Sequence, residues 1–344
     1  MLNEEKSFVN GVKVDTNYYP GFVRKAVTFT IDDGNINLDA KFLEILKPAG
    51  FLGTFNLNRV TDVPSSDYVS LYEGYEIANH HSFHALPFRE TADYHTGKPF
   101  ESILKEEIWD FSIADTEYAY KTNTEGLYYI NYHYYNPSLV GQTKWMAMAT
   151  DETYVKYAEI TKKSLEAIFG EGSVVGYAYP YGILSNTIKQ HLKDAGYLYA
   201  RKTGNLRDTT GFALPADRYA WTYNADVGCL LDVMKSFDEC EDDGKLKFFA
   251  FGVHSKDFDT AKGGWDVLKE FADLYGNRPD KFYYATNREI FEYENAIKAL
   301  VINDSGVINN SDIAVFMTVN DEKVTVPAKS IHYYDGRITK ISDT

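Results

Sequence analysis

KAVTFTIDDG, residues 25–34, is the stretch on which the reading of this 344-residue chain turns. Lys25 to Ile31 is strand-like, and it ends on two adjacent aspartates, Asp32 and Asp33, ahead of Gly34. Downstream, past a second and a third strand-like run, stand His80 and His84. Two imidazoles four residues apart and one carboxylate make a transition-metal ligand set. A second carboxylate next to the first leaves a base beside the metal, the chemical kit for metal-assisted hydrolysis.

Outward from that stretch, strand-like and helical patterns alternate. Leu38, Phe42 and Leu46 recur at helical spacing as far as Pro48. LGTFNL (52–57) and GYEIAN (74–79) read as strands, the second running into the histidines. Val155–Phe169 reads as a helix and SVVGYAYP (173–180) as a strand. Ser185 or Asn186 caps a helix through His191 to Ala195, which leads into YLYARK (197–202). KFFAFGVH (247–254) and KFYYATN (281–287) are strand-like, while Trp265–Tyr275 and Arg288–Leu300 are helical. KPAGF (47–51) and KDAGY (193–197) each stop a helix on glycine before an apolar strand.

This series predicts an α/β fold, a distorted parallel (β/α)7-8 barrel over residues 25–300. The polar clusters fall at the C-terminal ends of the strands, where such folds gather their active sites. Residues 1–24 form an N-terminal extension. Residues 85–154, long and Tyr-rich, read as an insertion that caps the site or walls the substrate, or else as plain packing. The alternating patterns of residues 301–344 predict a small antiparallel β appendage, stabilising rather than sugar-binding.

Composition narrows the function classes. A formal charge of −15, from 35 basic and 50 acidic residues, opposes nonspecific binding to nucleic acid or anionic membranes. The 28 tyrosines suit sugar rings, though most are expected to be half-buried strand filler. Cys229 and Cys240 offer neither metal spacing nor a disulfide framework. No apolar run approaches the ~20 residues of a membrane span. Residues 1–24 hold no apolar signal core, so any export signal lies outside this sequence. Oligomeric state is not encoded in any pattern found.

A catalytic zinc site takes nitrogen and oxygen donors and keeps one position open. The zinc-protease pattern also spaces two histidines by four, but its glutamate would stand where His81 does, so that reading fails. A histidine pair by itself is more often structural. Joined to the two aspartates and to His254 after a later strand, the pair points to function. One aspartate would bind metal and the other take a proton from the bound water. Adjacent strand residues face opposite ways, so a turn at Gly34 is expected to bring both carboxylates to one mouth.

With these residues in view, the chain resembles the polysaccharide deacetylases, the NodB-homology family or carbohydrate esterase family 4. Its first motif, T-F-D-D-G, is matched by Thr30-Ile31-Asp32-Asp33-Gly34, and its second, H-[S/T]-x-x-H, by His80 and His84 after Asn79. The third, R-x-P-Y-G, is matched by Ala178-Tyr179-Pro180-Tyr181-Gly182. Asp217 and Trp221 in LPADRYAWT match the fourth motif, and His254 in FGVHSKDFD matches the fifth. The resemblance covers roughly residues 20–300.

The resemblance implies a role for each position. Asp32 is the general base; Asp33, His80 and His84 bind one divalent metal, Zn²⁺ first and Co²⁺ or another transition metal next. His254 is the general acid, Asp217 orients it, and the Tyr181 backbone N–H steadies the oxyanion. Pro180, Tyr181 and Trp221 are expected along the substrate. Where relatives carry the third-motif arginine this chain has Ala178, and Arg201 or, second, Arg218 is expected to supply the guanidinium. His81 stands in place of the usual Ser or Thr and is read as an exposed bystander.

The implied activity is removal of acetyl groups from N-acetylated sugars of a chitin-like or peptidoglycan glycan, by attack of metal-activated water. O-acetyl (xylan-type) esterase action, a carbohydrate-binding pseudoenzyme and a structural zinc site are the rivals. A glycan substrate favours a secreted, periplasmic or cell-surface protein.

Overall fold

Alternation along the first strand organises the whole molecule. The structure is a computed structural model describing residues 8–9, 11–58, 64–88, 99–106, 114–134, 144–204 and 212–341. Strand β1 (Lys25–Asp32) is buried on both faces except at its two ends, as a parallel strand covered on both sides must be. Val27, Phe29 and Ile31 face the helix layer and share one core with Phe42 and Leu46 of helix α1 (Ile36–Leu46). Thr28, Thr30 and Asp32 therefore point the other way, into the barrel.

Six further strands run parallel to β1. They are β2 (Thr54–Leu57), β3 (Glu76–Asn79), β4 (Gly176–Ala178), β5 (Tyr199–Arg201), β6 (Lys247–His254) and β7 (Phe282–Tyr284). Their order is β5-β4-β3-β2-β1-β6, and β7 pairs with the first half of β1 where β2 pairs with the second. The open edges are joined by irregular backbone around residues 218–225. Ala200 and Lys202 donate to the carbonyls of Arg218 and Trp221, Asn224 donates to Ala250, and Gly252 donates to Ala225. A stretch without strand periodicity thus closes the distorted barrel.

Register brings the inward side chains to one level. Asp32 pairs with Asn56 on one side and His254 on the other, and Ala178 pairs with Arg201. At the opposite end, Glu76 accepts bonds from Thr54 (2.7 Å), Tyr199 (2.8 Å) and the backbone N–H of Arg288 (2.7 Å), forming a buried polar floor.

Among the described residues, the 85–154 stretch forms a mixed sheet of five short strands, from Leu86–Pro87 to Trp145–Ala149. The helix Asp151–Phe169 starts inside that stretch, capped by the Thr150 side chain. The C-terminal residues form two small antiparallel sheets, and the N-terminal extension belongs to one of them. Val14 and Asp15 pair with Val319 and Thr318. Cys229 and Cys240 are not joined in a disulfide, and no described helix is long and apolar enough to cross a membrane.

Candidate active site

The mouth of the barrel collects the residues singled out by the motifs. Asp32 faces inward by strand alternation, and Asn56 Nδ2 donates to its Oδ1 (2.9 Å). Asp33 would face the helix layer, but its φ of 78° turns it back towards the mouth, so the turn is made at Asp33 itself as well as at Gly34. Left-handed backbone also recurs at His81, His84 and Tyr181, each a conformation that costs a non-glycine residue of order 1–3 kcal/mol.

Asp33 Oδ1 lies 3.8 Å from His80 Nε2 and 3.7 Å from His84 Nε2. The ligand atoms of these three residues lie within 4.8 Å of one another. His80 Nδ1 donates to the carbonyl of Ala178 (2.8 Å), which leaves a lone pair on Nε2. That Nε2 is buried without a hydrogen-bond partner. An orphaned imidazole nitrogen facing a carboxylate and a second imidazole fits a divalent cation, and no proton donor among the described residues satisfies it instead.

The charges around the site are uneven. Burial pushes the Asp32 carboxyl up, but Arg201, then His80 and His254, outweigh it and hold Asp32 well below the usual carboxylate range. Asp33 is likewise held low against its burial by His80, His254 and Lys256, and Lys256 Nζ lies 2.8 Å from its Oδ2. Burial and the neighbouring His80 push His84 down to about 4, so it is neutral near pH 7.

Arg201, only 1% exposed, donates from Nη2 to Asp32 Oδ1. It sits on β5 in register with Ala178 of β4, the position at which the third motif carries its arginine. Arg218 is engaged elsewhere, by Glu294 (2.6 Å) and Asn295 (2.8 Å). Pro180 and Tyr181 lie in a tight turn, and the Tyr181 ring packs edge-on against His84 at 4.5 Å. That ring also rests on the apolar cluster of the inserted sheet.

Three expected placements change. Asp217 does not meet His254: it pairs with Lys189 (2.6 Å) on the surface, and the carboxylate at His254 Nδ1 is Asp257 (3.0 Å). Trp221 does not line the cleft, because its ring is buried against Tyr199, Phe248 and Phe291 in the barrel's lower interior. His81 is fully buried rather than exposed, stacking on Tyr154 and bonding its carbonyl (3.1 Å). Its backbone N–H donates to Asn79 Oδ1, and burial lowers its pKa to about 3. Asn56, Lys256 and Asp257 join the site without having been named by any motif.

The family profile for polysaccharide deacetylase matches residues 21–200, more than half of the chain. The chain belongs to the polysaccharide deacetylase family. Solved structures similar to it include the Xyl-CE4 domain of a multidomain xylanase from the hindgut metagenome of Trinervitermes trinervoides. The two are 14% identical, over 80% of this chain and 92% of that one, with a TM-score of 0.39. The peptidoglycan deacetylase PdaC from Bacillus subtilis is 13% identical over 80% of this chain and 94% of its own, with a TM-score of 0.39. A family 4 acetyl xylan esterase from Clostridium thermocellum, in complex with a cobalt ion, is 12% identical over 78% and 92%, with a TM-score of 0.40. No curated protein matches the chain. Arg201, Trp221, Asp217 and His254 lie beyond the stretch of this chain that the family profile covers.

Proposed function

We propose that this member of the polysaccharide deacetylase family is a metal-dependent hydrolase that removes acetyl groups from N-acetylated sugars of a poly- or oligosaccharide. The observation that carries the reading is the orphaned Nε2 of His80, facing Asp33 and flanked by His84, with Asp32 held ionised beside it. Asp33, His80 and His84 would hold one divalent cation, zinc or cobalt by their donor chemistry. Bound there, such a cation would supply Lewis acidity and make a water beside it more acidic, towards neutral pH.

The chain's own residues do the rest. Asp32 accepts the proton of the attacking water, with Arg201 and Asn56 fixing its carboxylate. Tyr181 contributes its backbone N–H to the acyl oxygen as charge collects there, a contribution whose loss typically costs about 3–4 kcal/mol of barrier. His254, with Nε2 3.6 Å from Asp33, donates a proton to the departing nitrogen. The carbon–nitrogen bond breaks, the water oxygen stays on the acetyl carbon, and acetate and a free amino sugar leave.

Acetate release from chitooligosaccharides, peptidoglycan fragments and acetylated xylan tests this. Release from an acetamido sugar supports it. Release from xylan alone transfers the site to O-ester hydrolysis, and tight glycan binding without release under any divalent metal would make the chain a binding protein.

A further inference from the structure

We infer that Asp257 is the positioning residue of the proton donor, holding His254 with its Nε2 turned to the cleft. This rests on the function proposed above and assigns a partner that motif matching had placed at Asp217. One carboxylate oxygen of Asp257, Oδ2, meets both the ring Nδ1 (3.0 Å) and the backbone N–H (2.9 Å) of His254. Two bonds from one oxygen to one residue fix its side-chain torsion as well as its ring plane.

A carboxylate is an acceptor only, so the proton between them belongs to Nδ1. The remaining nitrogen, Nε2, is the one facing Asp33. The geometry follows from the chain path: β6 ends at His254, the helix Ser255–Thr260 begins at once, and its first turn returns residue 257 beneath residue 254. Asp217, tied to Lys189, lies in no such relation.

During turnover His254 gives its Nε2 proton to the amine nitrogen as the carbon–nitrogen bond breaks. Asp257 keeps Nδ1–H and the ring plane in place throughout that transfer. A group that merely starts the helix would be indifferent to the leaving group, which separates the two roles. An acetamido sugar leaves as an amine and needs the proton, whereas a nitrophenyl acetate leaves as a stable phenolate and does not.

The test compares wild type and Asp257→Asn on both substrates. Turnover of the acetamido sugar should fall about 100-fold or more, the low end of what a placed acid supplies. The aryl ester should fall much less, so that the ratio of the two rates drops at least about tenfold. An unchanged ratio, whether both rates fall together or neither falls, overturns the assignment. Asp257→Ser, which keeps an acceptor at the helix start, is read the same way if the asparagine variant does not fold. Nitrogen-15 NMR of the wild type needs no variant: His254 should carry its neutral-state proton on Nδ1, and a proton on Nε2 instead overturns the proposal. A wild type that releases acetate from no acetamido sugar sinks the functional reading itself, a result separate from either of these.

Discussion

At the scale of single residues, the site is a set of buried charges that stay in place only because each has its partner. Asp32 keeps its negative charge inside the barrel through Arg201, with Asn56 as a second donor. Removing one member of a buried ion pair leaves the other uncompensated, at a cost of roughly 3–5 kcal/mol. Arg201→Ala should therefore lower stability and cut turnover about 100-fold or more, while Asp33, His80 and His84 still bind metal. Steady-state kinetics and metal analysis on one preparation check this, and unchanged kinetics would remove Arg201 from the account. The aspartates and histidines were legible because their chemistry is rare at that spacing. Asp257 was not, since an aspartate three residues after a strand end reads as an ordinary helix start. Trp221 was misplaced because an aromatic in a polar segment resembles a sugar platform, whereas here that segment closes the barrel and its ring fills the floor.

Elements position those residues through turns as much as through strands. The Pro180–Gly182 turn puts Tyr181 against His84 with Tyr181 at φ 56°. Gly182 follows at φ +70°, and a Cβ there would lie 2.2 Å from Thr203 Oγ1 and 2.4 Å from the Thr203 nitrogen. Gly182→Ala should displace the turn, costing at least about 1–2 kcal/mol for the left-handed backbone alone. A lower Tm together with weakened turnover is expected; a variant with wild-type Tm and kinetics would show that the turn does not shape the site. Strongly periodic elements could be read ahead of the structure: α1, the helix Asp151–Phe169, the helix Gly264–Tyr275 and the helix Asn287–Lys298 all fall where helical spacing put them. The short helix Ser65–Leu71 and the helix Leu230–Glu239 did not declare themselves. Nor did the inserted sheet, whose strands of two to five residues are too short to set a period.

Across the whole molecule the barrel separates two polar ends, a catalytic mouth and a buried floor. The floor gives the fold a pH dependence of its own. Burial outweighs the bonds from Thr54, Arg288 and Tyr199 and raises Glu76 to about 7. The folded pKa is then above the unfolded one, so the folded state favours the neutral acid. The stability this confers is complete below the unfolded pKa of about 4.3 and is lost as pH climbs through 7. Between about pH 5 and about pH 8 the loss is of order 2 kcal/mol. Thermal melts of wild type and Glu76→Gln should differ in slope over that range, the variant being flatter; parallel curves would contradict it. Parallel topology was readable from the alternation of strands and helices, whereas the union of the N-terminal strand with the C-terminal sheet was not, because pairing across some 300 residues leaves no local pattern. The central claim concerns the mouth, and metal stoichiometry after chelation and zinc add-back tests it most directly. The account predicts about one tightly held equivalent in wild type and little in His80→Ala or His84→Ala, both still folded. Equal zinc retention in wild type and the two variants, or none in any of them, would contradict it.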